Sequence, residues 1–387
     1  VMVVVKLAPA LATGNAVVLE PSELPPFTTL FIANLLNEVS VPPGVINIVN
    51  GYGSIVGSTI PLHTDMDKVA FTGSTITGRK ILAAAAEFNL KAVTLELGGK
   101  SPTIVFDDTD LEQAIKWGGH SIFVNMGHIC IAGSRIYVQE GIFDKFIECL
   151  TQYVQAFTDA VGSPFEEGNL HGLQISKTQY ERVMGYIESG KSDGDKVHAG
   201  GEGIGKEGYF IKSTMFVDTT PDMKIMREEI FGPVCAVVKF KTEDGVIELA
   251  NDTTFGLAAN LFTENSARAI RISNALEAGC VNVNCSLQFD ANVPFGGYKQ
   301  SGIGREAREA ALDACTQVKA VHINLGQRLN NRNALLFDLM AGPVLHVTNM
   351  IVFTANMIPA ANSIISYDSD VRRDDSREGD GKAREHR

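Results

Sequence analysis

The sequence predicts an α/β fold built on parallel sheets, and two patterns carry that expectation. Short β-branched runs alternate with longer stretches of helical periodicity, the order that gives a parallel sheet covered by helices. Several runs end in glycine or small polar residues just before a helix begins, as strands of open α/β sheets do at a ligand crevice. The 387 residues allow two or three domains at roughly 100–200 residues each.

The elements follow in order. Ala16–Leu19 reads as a strand. Pro25–Val39 reads as a helix with Phe27, Leu30, Phe31, Leu35 and Val39 at helical spacing. Pro42-Pro43-Gly44 ends it, and Val45–Val49 is a second strand. Gly53–Pro61 is at most a short helix. Lys68–Phe71 and Ala92–Leu97 are strands either side of a helix over Ile76–Glu87. Beyond them, helices are expected over Leu111–Phe123, Ile142–Ala160, Lys177–Lys191, Asp244–Asn251 and Ala267–Leu276. Strands are expected at Arg135–Gln139, Val234–Phe240, Ala258–Phe262 and Gly279–Asn284. No solenoid repeat is visible. Asp368–Arg387 mixes acids and bases with almost no apolar residues and reads as disordered.

Composition excludes several classes. Hydrophobic residues make up 45% and charged residues 20%, so the chain is not globally disordered. A formal charge of −12 argues against general nucleic-acid binding, which needs clustered Lys and Arg. No run of about 18 apolar residues spans a membrane; the best stretch, Val344–Ala361, is interrupted by His346, Asn349, Asn356 and Pro359. Six cysteines without a C-x-x-C pair suit neither a disulfide scaffold nor structural zinc, and no metal is expected. They fit a reduced, cytoplasmic compartment. Val1–Val5 has neither a basic flank nor a cleavage site of the secretory kind.

Five segments could carry chemistry. In Lys68–Arg79 a strand runs into Gly73-Ser74-Thr75 at a helix start, where free N–H groups and hydroxyls suit a pyrophosphate; an ordinary N-cap explains the same residues. In Val93–Lys100, Glu96 ends a strand before Gly98-Gly99. In Phe123–Arg135, Cys130 lies among small and flexible residues, as a nucleophile or as a core thiol. Arg227–Val234 pairs Glu228 with Glu229 before a strand. The glycines of Pro294–Glu306 permit close backbone packing.

Singly these segments are weak. In this order, with Leu7–Asn15 and Pro42–Val45, they closely resemble the NAD(P)-dependent aldehyde dehydrogenase superfamily, chiefly its broad-substrate branch. The likeness runs from about Val1 to about Leu325. It implies an aldehyde dehydrogenase-like fold: an incomplete Rossmann-like cofactor domain over 1–97 and an α/β catalytic domain over 98–300. A return segment over 301–325 would include an oligomerisation strand at Thr316–Ile323. Residues 326–387 have no counterpart and are expected to be disordered at their end.

The resemblance also implies roles. Cys130 matches the nucleophile that forms a thiohemiacetal and then a thioester. Glu96 matches the base that activates water for hydrolysis. Glu229, with Phe231 beside it, matches the nicotinamide-ribose contact. Ser74 matches a pyrophosphate contact, and Gly73 and Leu97 are further cofactor-binding positions. Glu23 matches a ribose-hydroxyl contact, and its acid favours NAD over NADP. Phe289 and Phe295 match the substrate tunnel. The implied partners are a small-molecule aldehyde and further copies of the chain, with no nucleic acid and no membrane.

The departures are specific. The family's oxyanion-hole Asn and first cofactor-domain strand would precede Val1, so the chain reads as an N-terminally truncated member. The competing expectation is a catalytically impaired chain that at most associates with longer subunits. Glu20 stands where Lys is usual near the adenosine ribose, and Val5 replaces a position that is often aromatic. His128 replaces Gln two residues before Cys130, with a side chain expected to diverge from the thiol.

Overall fold

Seven strands form the central sheet, in the order Cys280–Val283, Ala258–Phe262, Pro102–Val105, Arg135–Gln139, Val234–Phe240, Thr214–Val217 and Lys196–Ala199. All neighbours are parallel except the last pair. The structure, a computed structural model, describes residues 1–194 and 196–326. All of them fall in one compact unit.

Successive strand residues face opposite sides of this sheet, and both sides are covered. Ile104, Tyr137, Phe216 and Ala236 join a core with the helix Lys177–Ser192 and with Glu243–Asn251 and Ser266–Ala275. Val105, Ile136, Val138, Met215, Val217, Cys235 and Val237 pack on the other side. There they meet the helices Leu111–Phe123 and Phe143–Asp159. In the second helix Phe143, Phe146, Ile147, Leu150 and Val154 fall at helical spacing and are all buried. Side-chain caps fix the starts of four helices on this sheet: Asp110 accepts from Gln113 N–H, Ser176 from Gln179 N–H, Thr242 from Gly245 N–H and Asn265 from Arg268 N–H.

The N-terminal third contains two smaller sheets. Val17–Leu19 pairs in parallel with Ile46–Ile48. Lys68–Thr72 pairs in parallel with Ala92–Glu96, whose other edge takes the antiparallel strand Gly302–Ile303. The return segment therefore docks on the strand that ends at Glu96.

The structure departs from sequence expectation at definite places. Met2–Ala12 is a helix that periodicity did not reveal, with Pro9 inside it and Leu7 its one buried residue. Pro102–Val105 and Thr214–Val217 are strands buried at every position, so neither shows the alternation that marks a strand in sequence. The apolar face predicted for Phe27–Glu38 is exposed: Phe27 is 81% and Phe31 63% accessible, because no described element covers it. Thr316–Ile323 forms no strand within the chain, since no described strand lies beside it as a ladder partner. The disordered tail expected at the C-terminus lies outside the described residues.

Leu150 is fully buried against the sheet. Leu150→Ala should lower stability by about 2–5 kcal/mol through lost transfer energy and a residual cavity. Chemical denaturation should show this as a lower midpoint with an unchanged slope.

Candidate active site

Glu96 is the last residue of its strand, and the chain beyond it is clamped by one serine. Leu97 N–H donates to Ser301 O at 2.8 Å. Ser301 Oγ donates to Gly98 O at 2.6 Å and accepts from Gly256 N–H at 2.9 Å. Three other segments meet this clamped run. A Cβ at Gly98 would stand 2.3 Å from Glu229 Oε2, and one at Gly99 would stand 2.2 Å from the Cys130 carbonyl oxygen. A Cβ at Gly296 would lie 2.8 Å from Glu96 Oε1. The two glycines after Glu96 thus allow Glu229 and Cys130 to approach closer than any side chain would permit.

Cys130 follows a tight turn. Asn125, Met126 and Gly127 have φ of 51°, 54° and 72°, three successive left-handed residues. Asn125 Nδ2 donates to His128 O, and His128 N–H returns to Asn125 O. Gly127 packs against Gly232, where a Cβ would meet the carbonyl oxygen at 2.1 Å. Cys130 packs with Ile131, Leu257, Ala258 and Phe295. Burial pushes its thiol up to about 12, Glu229 and Glu96 add to the rise, and the N–H groups of Cys130 and Ile131 oppose it. Those two backbone amides are hydrogen-bond donors beside the thiol.

Glu96 is buried, and neither carboxylate oxygen has a hydrogen-bond partner among the described residues. Desolvation raises its pKa to about 8; Glu306 adds to the rise, while Lys6 and Arg305 oppose it. Glu306 is tied to Lys6 by an ion pair and bridged through backbone hydrogen bonds to Phe295. Sequence reasoning passed over Lys6 and Glu306, although Glu306 ends the glycine-rich segment Pro294–Glu306. It also passed over Lys100, which is 2% exposed with no hydrogen-bond partner for Nζ among the described residues. Burial pulls its pKa down to about 7, Arg135 reinforces the fall, and Glu229 opposes it.

Glu229 Oε1 accepts from Gly99 N–H at 3.0 Å. Burial raises its pKa, against that hydrogen bond and the charges of Arg182 and Lys100. Phe231 has φ of 58° and stacks on His128, with ring centroids 5.4 Å apart and 18° between planes. The expected divergence of His128 from Cys130 has a structural cause: its Nε2 lies 2.7 Å from Gln174 Oε1 and its ring is taken up by Phe231.

The other predicted residues lie at the ends of the smaller sheets. Gly73 N–H donates to Glu96 O at 3.0 Å. Ser74 caps the helix Thr75–Phe88, accepting from Thr77 N–H at 3.3 Å. Thr72 Oγ1 and Thr75 Oγ1 beside it are buried without hydrogen-bond partners among the described residues. Leu97 is buried, and its side chain packs on Gly78 of that helix. Glu23 Oε2 accepts from Gly53 N–H at 2.7 Å. Glu20 faces Gly57 and has its pKa raised by burial and by Glu23, against a hydrogen bond from Gly57. Phe289 and Phe295 meet edge to face, 5.7 Å apart. Among the described residues no group of three or more His, Cys, Asp or Glu could hold a metal ion, and no helix is long and apolar enough to cross a membrane.

Glu96, on the turn itself, and Glu229 and Cys130, packed against its glycines, thus come together in an α/β protein built on parallel sheets. Comparison with known proteins makes the class definite. Residues 1–321 match the Aldehyde dehydrogenase family, and the chain belongs to it. It is 55% identical over 324 residues to an aldehyde dehydrogenase of Agaricus bisporus, covering 84% of this chain and 64% of that protein. Over 327 residues it is 47% identical to aldehyde dehydrogenase 1A1 of Mus musculus, covering 84% and 65%. The NAD+ complex structure of an aldehyde dehydrogenase from Bacillus cereus superposes with a TM-score of 0.82 at 46% identity, over 84% of this chain and 66% of that one. The chain thus spans about two thirds of the length of these relatives.

Two outcomes test this geometry. A methyl group at Gly99 must displace the Cys130 backbone, so Gly99→Ala should lower the melting temperature and change the rate at which iodoacetamide alkylates Cys130. Glu96 ionises near 8 rather than its ordinary 4.5, so the folded protein binds the extra proton between those values and loses stability as pH rises across them. Glu96→Gln should therefore match the native melting temperature below pH 4.5 and exceed it above pH 8.

Proposed function

We propose that the chain oxidises an aldehyde to a carboxylic acid with NAD, using Cys130 as nucleophile and Glu96 as base. The observation that carries this reading is the convergence of Cys130, Glu96 and Glu229 on the turn Glu96–Lys100.

The residues present fit a dinucleotide. The orphaned hydroxyls of Thr72 and Thr75 and the helix start at Ser74 suit a pyrophosphate. Glu23, with Glu20 beside it, would hold the adenosine ribose, and the acid supports NAD over NADP. Glu229 would hold the nicotinamide ribose, with Phe231 and Leu97 against the ring. Bound there, NAD supplies a hydride acceptor.

The protein's own part is then as follows. Cys130 gives its thiol proton to ionised Glu96, which passes it on to solvent, as Sγ attacks the aldehyde carbon and the Cys130 and Ile131 amides stabilise the developing oxyanion. The thiol is protonated in the free site, which limits stray oxidation. Once the Cys130 thioester has formed, Glu96 takes a proton from water, and the hydroxide it frees releases the acid. A carboxyl with a pKa near 8 returns that proton readily, so the base is regenerated in each cycle. Phe289 and Phe295 would line the aldehyde's approach.

Residues 1–97 would form the cofactor domain, 98–300 the catalytic domain, and 301–325 the return and oligomerisation segment. Exposed Val318, Val321 and Ile323 support pairing of Thr316–Ile323 with a second copy. Six free cysteines support a reducing, cytoplasmic location.

NADH formation by the purified chain with a simple aldehyde tests the proposal. Cys130→Ala should abolish it. Glu96→Gln should slow turnover by roughly 10²–10⁴. In the native protein the rate should climb as pH rises through about 8, because only ionised Glu96 can accept the proton. Equal rates for native protein and Cys130→Ala would refute the role of Cys130.

A further inference from the structure

The turn that carries Cys130 and the loop that carries Glu229 touch at two points: Gly127 on Gly232, and His128 on Phe231. The second contact has a job that packing alone does not explain. Phe231 occupies the left-handed region, so ordinary backbone preference does not fix its ring direction. Gln179 Nε2 holds its carbonyl at 2.7 Å, and Arg182 holds the Glu229 carbonyl at 2.7 Å, but neither touches the ring. The ring meets His128 in a near-parallel stack and stays 36% exposed. His128 is itself fixed. Its Nε2–H donates to Gln174 Oε1 at 2.7 Å, and Gln174 is 1% exposed with its own N–H bonded to Tyr209 O.

We infer that His128 is a positioning residue for the cofactor: held by Gln174, its imidazole sets the plane of Phe231, which in turn presents a flat surface to the nicotinamide ring. The inference rests on the cofactor reading above. The near-parallel planes make the contact aromatic stacking, and burial lowers the imidazole pKa against the hydrogen bond to Gln174. His128 therefore serves the cofactor loop, although it lies two residues from the nucleophile.

The test uses the full chain and two variants, with NADH binding followed by fluorescence and Cys130 alkylation by iodoacetamide followed separately. His128→Ala should weaken NADH binding roughly two- to tenfold, the size of a lost aromatic pair. His128→Phe keeps a ring without the Gln174 bond and should bring binding back toward the native value. Alkylation of Cys130 should be unchanged in both. Equal weakening in the two variants would overturn the stacking role. Alkylation that changes in step with binding would overturn it too, because His128 would then act on the thiol. Native protein that binds no NADH would refute the cofactor reading itself, and the inference with it.

Discussion

The site depends on the absence of two side chains. Gly98 and Gly99 follow the strand that ends at Glu96, and Ser301 pins the run by hydrogen bonds to Leu97 N–H and Gly98 O while Gly256 N–H holds Ser301 Oγ. A methyl group on either glycine would overlap Glu229 or the Cys130 backbone. Only a bare backbone lets the Cys130 main chain and the Glu229 carboxylate, both distant in sequence, pack against the turn that follows Glu96. The seven-stranded sheet behind it supplies rigidity: it is packed on both faces, and Pro102–Val105 leads directly out of the pinned turn into its centre.

The same arrangement carries a steady electrostatic cost. Glu96 has two buried oxygens without hydrogen-bond partners among the described residues, Glu229 is mostly desolvated, and Cys130 feels both. Lys100 is buried with its ammonium unsatisfied among those residues. Groups left this way destabilise a fold and yet raise reactivity, because a desolvated carboxylate is a stronger base and responds to what enters the site. The Lys6–Glu306 pair adds to that cost on balance, since Glu306 raises the Glu96 pKa by more than Lys6 lowers it.

Much of this was legible in order along the chain. Periodicity placed the helix Leu111–Phe123 and the strands Arg135–Gln139, Val234–Phe240 and Ala258–Phe262 at their observed ends. It failed where its premise fails. Pro102–Val105 and Thr214–Val217 are buried on both sides and show no alternation. Phe27–Glu38 shows an apolar stripe that remains exposed, because pattern reports which face is apolar and not whether anything lies against it.

The site divides in the same way. The residue types and their order in the sequence showed family membership and marked Cys130, Glu96 and Glu229 as candidates, because each lies in a short segment whose residue order resembles the family's. The sequence also marked His128 as a departure from the usual residue. Only the tertiary structure decided what His128 touches, that Lys6 and Glu306 bias Glu96, and that the glycine pair is the meeting point. Those facts depend on distances between segments up to 300 residues apart, such as Lys6 and Glu306, and local sequence carries no record of such distances.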